Sequence, residues 1–326
     1  MQAIVIHQTG GPEVLQLKEV PRPVPRTGEA LVRIAAAGIN FIDVYYRSGL
    51  YKKDCPFTAG QEGAGVIEGF ADGGGSSPFG LKVGDRVCFV YFGGAYAEYS
   101  TVPVDKLIPI PAGISDVNAC VAMVQGMTAQ YLSHDTYSIK KGDTVLIHAA
   151  AGGVGQLLVQ MAKMRGARVL GTVGSAEKAA LAKADGADET IDYKTQDFVE
   201  EVKRITGGAG VAVVYDSVGQ STFEGSLKCL RPRGLLALYG QSSGPVPPFD
   251  LSRLPAMGSL YITRPTLVSY TLTRQELLER ANDVFGMMLS GALRVRPGGE
   301  YRLADAERAH RDLESRATTG KLVLTP

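Results

Sequence analysis

The chain has 326 residues, more than one hydrophobic core of ordinary size accommodates, so two domains are expected. Hydrophobic residues make up 45% and charged residues 21%, and 34 Lys+Arg against 33 Asp+Glu leave a net charge of +1, which excludes a whole-chain attraction to nucleic acid or anionic membrane. Cys55, Cys88, Cys120 and Cys229 form no CxxC pair, so neither a disulfide framework nor a tetrahedral zinc cage is indicated, and a reducing, cytoplasmic setting is expected.

The chain opens on a short strand, Ala3–His7, and a Gly10-Gly11-Pro12 turn. It lacks the basic start and apolar run of a signal peptide, and no stretch reaches the roughly 20 apolar residues that span a bilayer. Up to about Pro111, short β-rich runs (Glu29–Ala36, Gly63–Phe70, Asp85–Val90, Ala95–Val102) are punctuated by Gly and Pro, the pattern of an antiparallel barrel-like unit. Asp116–Thr136 favours helix. After Lys141 the rhythm changes. Strand-like runs at Thr144–Ala149, Arg168–Val173, Glu189–Tyr193, Val211–Ser217 and Leu235–Gly240 alternate with helix-like segments at Val154–Arg165, Ala176–Lys183, Gln196–Ile205 and Phe223–Cys229. Such alternation predicts a doubly wound parallel sheet, an α/β domain of the Rossmann type. The tail carries helices near Arg274–Ser290 and Leu303–Ala317 and a last strand at Lys321–Leu324. The expected domains are therefore 1–124 and 265–326 as one β-rich unit, with 125–264 inserted into it.

The strongest local signal is Gly142-Asp143-Thr-Val-Leu-Ile-His-Ala-Ala-Ala-Gly152-Gly153-Val154-Gly155. A strand runs into glycines, and the glycines open a helix whose apolar face is Val154, Leu157, Leu158, Met161 and Ala162. Unpaired amides at a helix start attract a pyrophosphate, and glycine admits the close approach. Alanine, Ala149, stands where the common fingerprint has its first glycine. An NAD site usually has an acid at the tip of the second strand. Here the tip reads Val173-Gly174-Ser175-Ala176-Glu177-Lys178, with no acid in place and a hydroxyl and a cation close by, which predicts NADPH.

These motifs resemble those of the zinc-independent quinone oxidoreductase and ζ-crystallin branch of the medium-chain dehydrogenase/reductases. The likeness rests on Gly142 to Lys163, on Gly10 to Leu15, on Gly38-Ile39-Asn40-x-x-Asp43-x-Tyr45-x-Arg47-x-Gly49-x-Tyr51, on Val214 to Gly219 and on Leu313 to Thr318. The resemblance implies a GroES-like catalytic domain, a Rossmann domain, and a homodimer joined through an edge strand near Gly258–Thr263. It also implies cofactor contacts. Asn40 and Thr128 are expected near the nicotinamide and its ribose, and Ala151, Gly152, Gly153, Val154 and Gly155 near the pyrophosphate. Gly174, Ser175, Lys178 and Tyr193 are expected around the adenosine phosphate, and Ser217, Tyr239, Gly240, Ser242 and Arg316 around the remaining groups.

Zinc-using relatives supply a Cys in the first catalytic loop and a His-Glu pair later, whereas this chain reads Gly38-Ile39-Asn40 and Gly60-Gln61-Glu62, and His7, His134, His148 and His310 show no ligand spacing. No metal is expected. His148, at the end of the first Rossmann strand, is expected to pack or hydrogen-bond. The expected reaction is NADPH-dependent reduction of a small quinone, with Asn40, Tyr45, Tyr51 and Gln61 as candidate donors to the developing oxyanion and the two tyrosines as stacking surfaces. Asp43 is given a supporting role, and Arg47 is either a phosphate or substrate clamp or a surface ion pair. The nearest rival is an enone or enal reductase, which needs the same cofactor. A rival of another class is a non-catalytic crystallin-like or RNA-binding protein; the neutral charge and the absence of a basic aromatic stripe argue against a nucleic-acid role.

Overall fold

Two long strands, Glu29–Gly38 and Glu62–Phe70, carry mostly small and β-branched residues and are buried along most of their length. They pair antiparallel, with two register breaks, Leu31/Val32 and Ile34/Ala36, that bend the sheet. The computed structural model describes residues 1–71, 73–315 and 317–326. It separates into a first unit, Met1–Val124 with Thr271–Pro326, and a second, Gln125–Tyr270.

In the first unit a seven-stranded sheet runs in the order Pro297–Arg302, Lys321–Thr325, Glu29–Gly38, Glu62–Phe70, Arg86–Val90, Ile108–Pro109, and Tyr99–Pro103 also pairs with Glu29–Gly38. A smaller sheet joins Gln16–Glu19, Gln2–Ile6 and Phe57–Thr58. Ile4, Val32, Ile67, Phe89, Tyr96, Leu107 and Leu324 belong to their common core. The tail enters this unit as main chain. Lys321–Thr325 pairs antiparallel with Glu29–Gly38 and parallel with Pro297–Arg302, a strand the sequence pattern did not indicate. The run expected as a strand from Ala95 begins only at Tyr99, because Ala95 and Tyr96 turn their amides to Gly60 and Ala59 instead.

A helix over Phe41–Ser48 was also not expected. It starts after Asn40, whose backbone N–H donates to Asp43 Oδ2 at 2.8 Å, and ends at Gly49, which takes φ 81. Its last turn holds Arg47, 2% exposed, which donates to Gly10 C=O at 3.3 Å, to His310 Nδ1 at 3.2 Å and to Glu314 Oε1 at 2.7 Å. Arginine has only donors, so His310 Nδ1 accepts and Nε2 carries the proton towards the Tyr96 hydroxyl at 3.2 Å. Arg47 thus stitches the N-terminal turn to the tail helix Ala306–Glu314, a buried role different from either expectation for it.

The second unit is a six-stranded parallel sheet in the order Glu189–Asp192, Arg168–Val173, Thr144–Ile147, Val211–Asp216, Leu230–Leu238, Tyr261–Thr263. Its helices lie at Gly153–Met164, Ala176–Ala184, Phe198–Thr206 and Phe223–Cys229. The third of these starts two residues later than Gln196, because Asp197 caps it by accepting from the amides of Val199 and Glu200. Leu230–Leu238 starts five residues earlier than the apolar pattern suggested, through the polar stretch Arg231-Pro232-Arg233. The helix Asp116–Tyr131 passes into a π-turn, Leu132–Thr136, where Ser133 Oγ donates back to Ala129 C=O at 2.8 Å.

The Arg47 stitch is open to a direct test. Arg47→Met is expected to lower unfolding free energy by about 3 kcal/mol, since several buried charge-assisted hydrogen bonds are lost together. Urea denaturation measures this, and an unchanged midpoint would show that the tail is held by its strand alone.

Candidate active site

In a parallel sheet the strands all point one way, so their carboxyl ends, and the loops after them, share one edge. That polarity gathers most of the residues singled out in the second unit. Ala151, Gly152, Gly153, Val154 and Gly155 follow Thr144–Ile147. Gly174, Ser175 and Lys178 follow Arg168–Val173, Tyr193 follows Glu189–Asp192, Ser217 follows Val211–Asp216, and Tyr239, Gly240 and Ser242 follow Leu230–Leu238. Thr128 is buried on the helix Asp116–Tyr131, one turn after Gln125, whose carboxamide lies against Gly153. Arg316 lies outside the described residues.

The glycine loop is shaped by what a side chain would strike. A Cβ at Gly155 would overlap the Ala149 carbonyl, and one at Gly153 would overlap the Gln125 carboxamide. Ala149 itself takes φ 51, the left-handed region in which glycine would be unstrained. It is held there because its N–H donates to Thr172 Oγ1 at 3.3 Å and its C=O accepts from Gly152 N–H at 2.8 Å. The first bond of the helix ladder is Gln156 N–H to Gly152 C=O, so the amides of Gly153, Val154 and Gly155 precede it. Together with the helix dipole they form an anion cradle that fits a pyrophosphate.

At the neighbouring strand tip, Ser175 caps the helix Ala176–Ala184 by accepting from Lys178 N–H at 3.3 Å. Tyr193 lies so close over Gly174 that any side chain there would collide with its ring. Burial holds the Lys178 ammonium below the ordinary lysine value, and the neighbouring Lys194 ammonium adds to the effect. Two cations therefore stand where NAD sites place an acid, and Lys194 had not been singled out. Its signal was the register, since Val173 pairs with Asp192 and so brings Ser175 and Lys194 to the same level past the strand ends.

Two further hubs brace this edge. Asp216 accepts from the amides of Val218 and Gly219 at 2.8 and 3.0 Å, from Thr222 Oγ1 and from Ser226 Oγ. His148 is buried, and its ring nitrogens lie 3.0 Å from Thr172 Oγ1 and from Ser226 Oγ, which makes it a bracket between the strand Arg168–Val173 and the helix Phe223–Cys229. The loop after Val211–Asp216 and the loop after Leu230–Leu238 are laced by Ser242 N–H to Ser217 C=O and Ser243 N–H to Val218 C=O.

In the first unit Tyr45, Tyr46 and Tyr51 form one aromatic group. The Tyr45 and Tyr51 rings lie 5.2 Å apart between centroids, and Tyr46 meets Tyr51 edge-on at 5.8 Å. Gln61 is 5% exposed and its C=O accepts from Tyr91 N–H at 2.6 Å. Asn40 is placed differently. Its Oδ1 accepts from Lys321 Nζ at 2.5 Å, and its Nδ2 donates to Glu62 Oε2 at 2.9 Å and, at the long distance of 3.5 Å, to Gly38 C=O. Glu62 and Lys321 form an ion pair with side chains 0% exposed, and Glu62 Oε1 also accepts from Val124 N–H at 2.7 Å. Both amide protons of Asn40 are thus directed inward.

Among the described residues no group of three His, Cys, Asp or Glu side chains gathers as a metal cage. The first-loop position is Asn40, the later one Gln61, and the adjacent carboxylate Glu62 is occupied by Lys321.

Residues 26–112 match the family model "Alcohol dehydrogenase GroES-like domain", and residues 153–283 match "Zinc-binding dehydrogenase". The quinone oxidoreductase of Pseudomonas aeruginosa is 46% identical over 319 residues, 97% of this chain and 97% of that one. The chain belongs to the quinone oxidoreductase family. The solved structure of Escherichia coli quinone oxidoreductase complexed with NADPH superposes with a TM-score of 0.96 at 45% identity, covering 100% of both chains. A 2-haloacrylate reductase of Burkholderia is 43% identical over 334 residues, 100% of this chain and 99% of that one. Membership accounts for the α/β architecture of a GroES-like unit and a Rossmann sheet.

Asp43 allows a check on the electrostatics of the first unit. Burial pushes its carboxyl up to about 7, against the opposing pull of the Asn40 amide and the Lys321 charge. An unfolded Asp releases its proton near 3.8, so between there and about 7 the folded state keeps a proton the unfolded state has lost, and Asp43 costs stability as pH rises. His310 works in the opposite sense: burial and Arg47 hold it at about 3, so the unfolded chain takes the proton first and stability falls as pH drops below 6.5. Asp43→Asn removes only the first effect. The gain in urea midpoint from about pH 4 to about pH 7 is expected to be larger in the variant than in the parent. An equal or smaller gain would mean that Asp43 is ionised throughout the folded state.

Proposed function

We propose that the protein is an NADPH:quinone oxidoreductase that transfers a hydride to a small quinone without a metal. The observation that carries the reading is the edge of the parallel sheet, where a helix-start cradle and a strand tip bearing Ser175, Lys178 and Lys194 stand in line. The cradle would hold the pyrophosphate on the amides of Gly153, Val154 and Gly155, and the strand tip would take the adenosine 2′-phosphate. NADPH, when bound, supplies the hydride, and the protein contributes binding, orientation and charge stabilisation.

As the acceptor gains a hydride, one of its oxygens becomes negative, and donors aimed at that oxygen stabilise the change. Tyr51 and Gln61 suit this task. Tyr51 lies in the aromatic group that offers a flat acceptor a stacking surface, and Gln61 is a buried residue whose side-chain amide ends near Gly93. Asn40, with its amide committed to Lys321 and Glu62, anchors the start of the helix that carries Tyr45. Metal independence is supported by the donor set, which offers Asn40 and Gln61 where zinc relatives use thiolate and imidazole, and by the consumption of Glu62 in an ion pair.

A homodimer is supported by the sheet edge at Tyr261–Thr263, where Tyr261 is 61% exposed. A reducing, cytoplasmic setting accords with four free cysteines. No helix among the described residues is long and apolar enough to cross a membrane. A second reading, reduction of a conjugated C=C bond, is favoured by the resemblance to the 2-haloacrylate reductase, because that chemistry needs the same hydride donor.

Titration with the two nicotinamide cofactors tests the cradle, and parallel assays with a quinone and an enone decide between the two acceptors. Lys178→Ala is expected to weaken NADPH binding by about 1–3 kcal/mol, the worth of a charge-assisted hydrogen bond, with little change for NADH. Equal weakening of both cofactors would remove the strand tip from phosphate recognition. Failure to bind either would return the protein to a non-catalytic role.

A further inference from the structure

Lys53 stands two residues after Tyr51 in sequence and stays beside the aromatic group in space. Its Nζ lies 5.7 Å from the centre of the Tyr46 ring and 4.6 Å from that of Phe57. Tyr46 in turn meets Tyr51 edge-on, so the ammonium caps one side of the tyrosine group. Gly93 closes the arrangement: a Cβ there would come to 2.7 Å from Lys53 Nζ and 3.8 Å from Gln61 Nε2, so a bare backbone is what leaves room for this cation beside the Gln61 amide.

The ammonium carries three N–H donors, yet among the described residues Lys53 has no hydrogen bond and no ion pair; it lies over two ring faces. The buried Asp43 carboxyl exerts a through-space pull on it, while partial burial holds Lys53 below the ordinary lysine value. A half-buried cation without an acceptor is a costly feature for a fold to keep for stability alone. It is a natural partner for an anion that arrives with a flat ring.

We propose that Lys53 is a specificity-determining residue that grips the negative group of an anionic acceptor, a conjugated ring or chain bearing a carboxylate, while the tyrosines receive its flat face. This rests on the hydride-transfer reading given above. The neighbouring Gln61 amide adds a second donor on the same side, so a carboxylate receives a charged and a neutral hydrogen bond. Neutral quinones of the same shape gain only the stacking surface.

The test uses a methylnaphthoquinone with a propionate side chain and the same quinone as its propionamide, each with NADPH and the full chain. In Lys53→Gln the propionate-to-propionamide ratio of kcat/KM is expected to fall about tenfold, the equivalent of one charge-assisted hydrogen bond. Lys53→Arg keeps the preference for the propionate, and Lys53→Glu reverses it. Calorimetric titration of the propionate quinone without NADPH gives an independent readout, and its Kd is expected to rise about tenfold in Lys53→Gln. A ratio unchanged in Lys53→Gln, or equal losses on both acceptors, overturns the proposal. If the parent protein reduces neither quinone yet binds the propionate through Lys53, the hydride-transfer reading falls and the anion site stands.

Discussion

The carboxyl edge of the parallel sheet is the constraint from which the second unit follows. A buried strand must satisfy its amides with its neighbours, and the only amides that escape this demand without penalty are those just past the strand ends, where helices begin. Because the sheet order is Glu189–Asp192, Arg168–Val173, Thr144–Ile147, Val211–Asp216, Leu230–Leu238, the unpaired groups after each strand come out side by side. The central one opens the helix at Gly153, and its neighbours contribute Ser175 on one side and Ser217 and Tyr239 on the other. His148 and Asp216 hold this edge in shape from below, each tying backbone or hydroxyl groups of more than one element.

The first unit depends on a different kind of interaction. Glu62 and Lys321 are both removed from water, and a pair of this sort holds only if its remaining lone pairs and protons are satisfied. Here Asn40 and the Val124 amide complete it. The same contacts determine which way the Asn40 carboxamide faces, since Lys321 has only protons to offer and ionised Glu62 only lone pairs. The start of the helix Phe41–Ser48, and with it the direction in which Tyr45 and Arg47 leave the backbone, is therefore set by the last strand of the chain. Asn40 directly precedes the helix that carries Tyr45 and Tyr46, so the same network fixes where that helix begins.

Charge is used sparingly and locally. The whole chain is close to neutral, and the two regions proposed to take anions differ in make-up. At the sheet edge, backbone amides and two lysines combine, which suits a large polyanion. At the tyrosines, a single ammonium is wedged against ring faces, which suits one charged group on an apolar body. Lys178 and Lys53 are partly desolvated, and a desolvated cation discriminates more sharply than a fully hydrated one.

The alternation of strands and helices after Lys141, the glycine turn at Gly152 and the missing acid after Val173 are local properties, and they were legible because period, turn residues and charge are written within a few residues of each other. The short helix at Phe41 had local signals too, in Asn40, Asp43 and Gly49, but its aromatic residues masked them. Nothing in the sequence pointed to the pairing of Asn40 with Lys321, which lie 281 positions apart, or of Arg47 with His310, 263 apart. Lys53 reads as an ordinary solvated lysine until Phe57 and Gly93 are folded against it. The reason is physical: helix starts and strand periods depend on neighbours along the chain, whereas the burial that turns an ordinary charge into a selective one is a property of the space around it, and only tertiary contacts create that space.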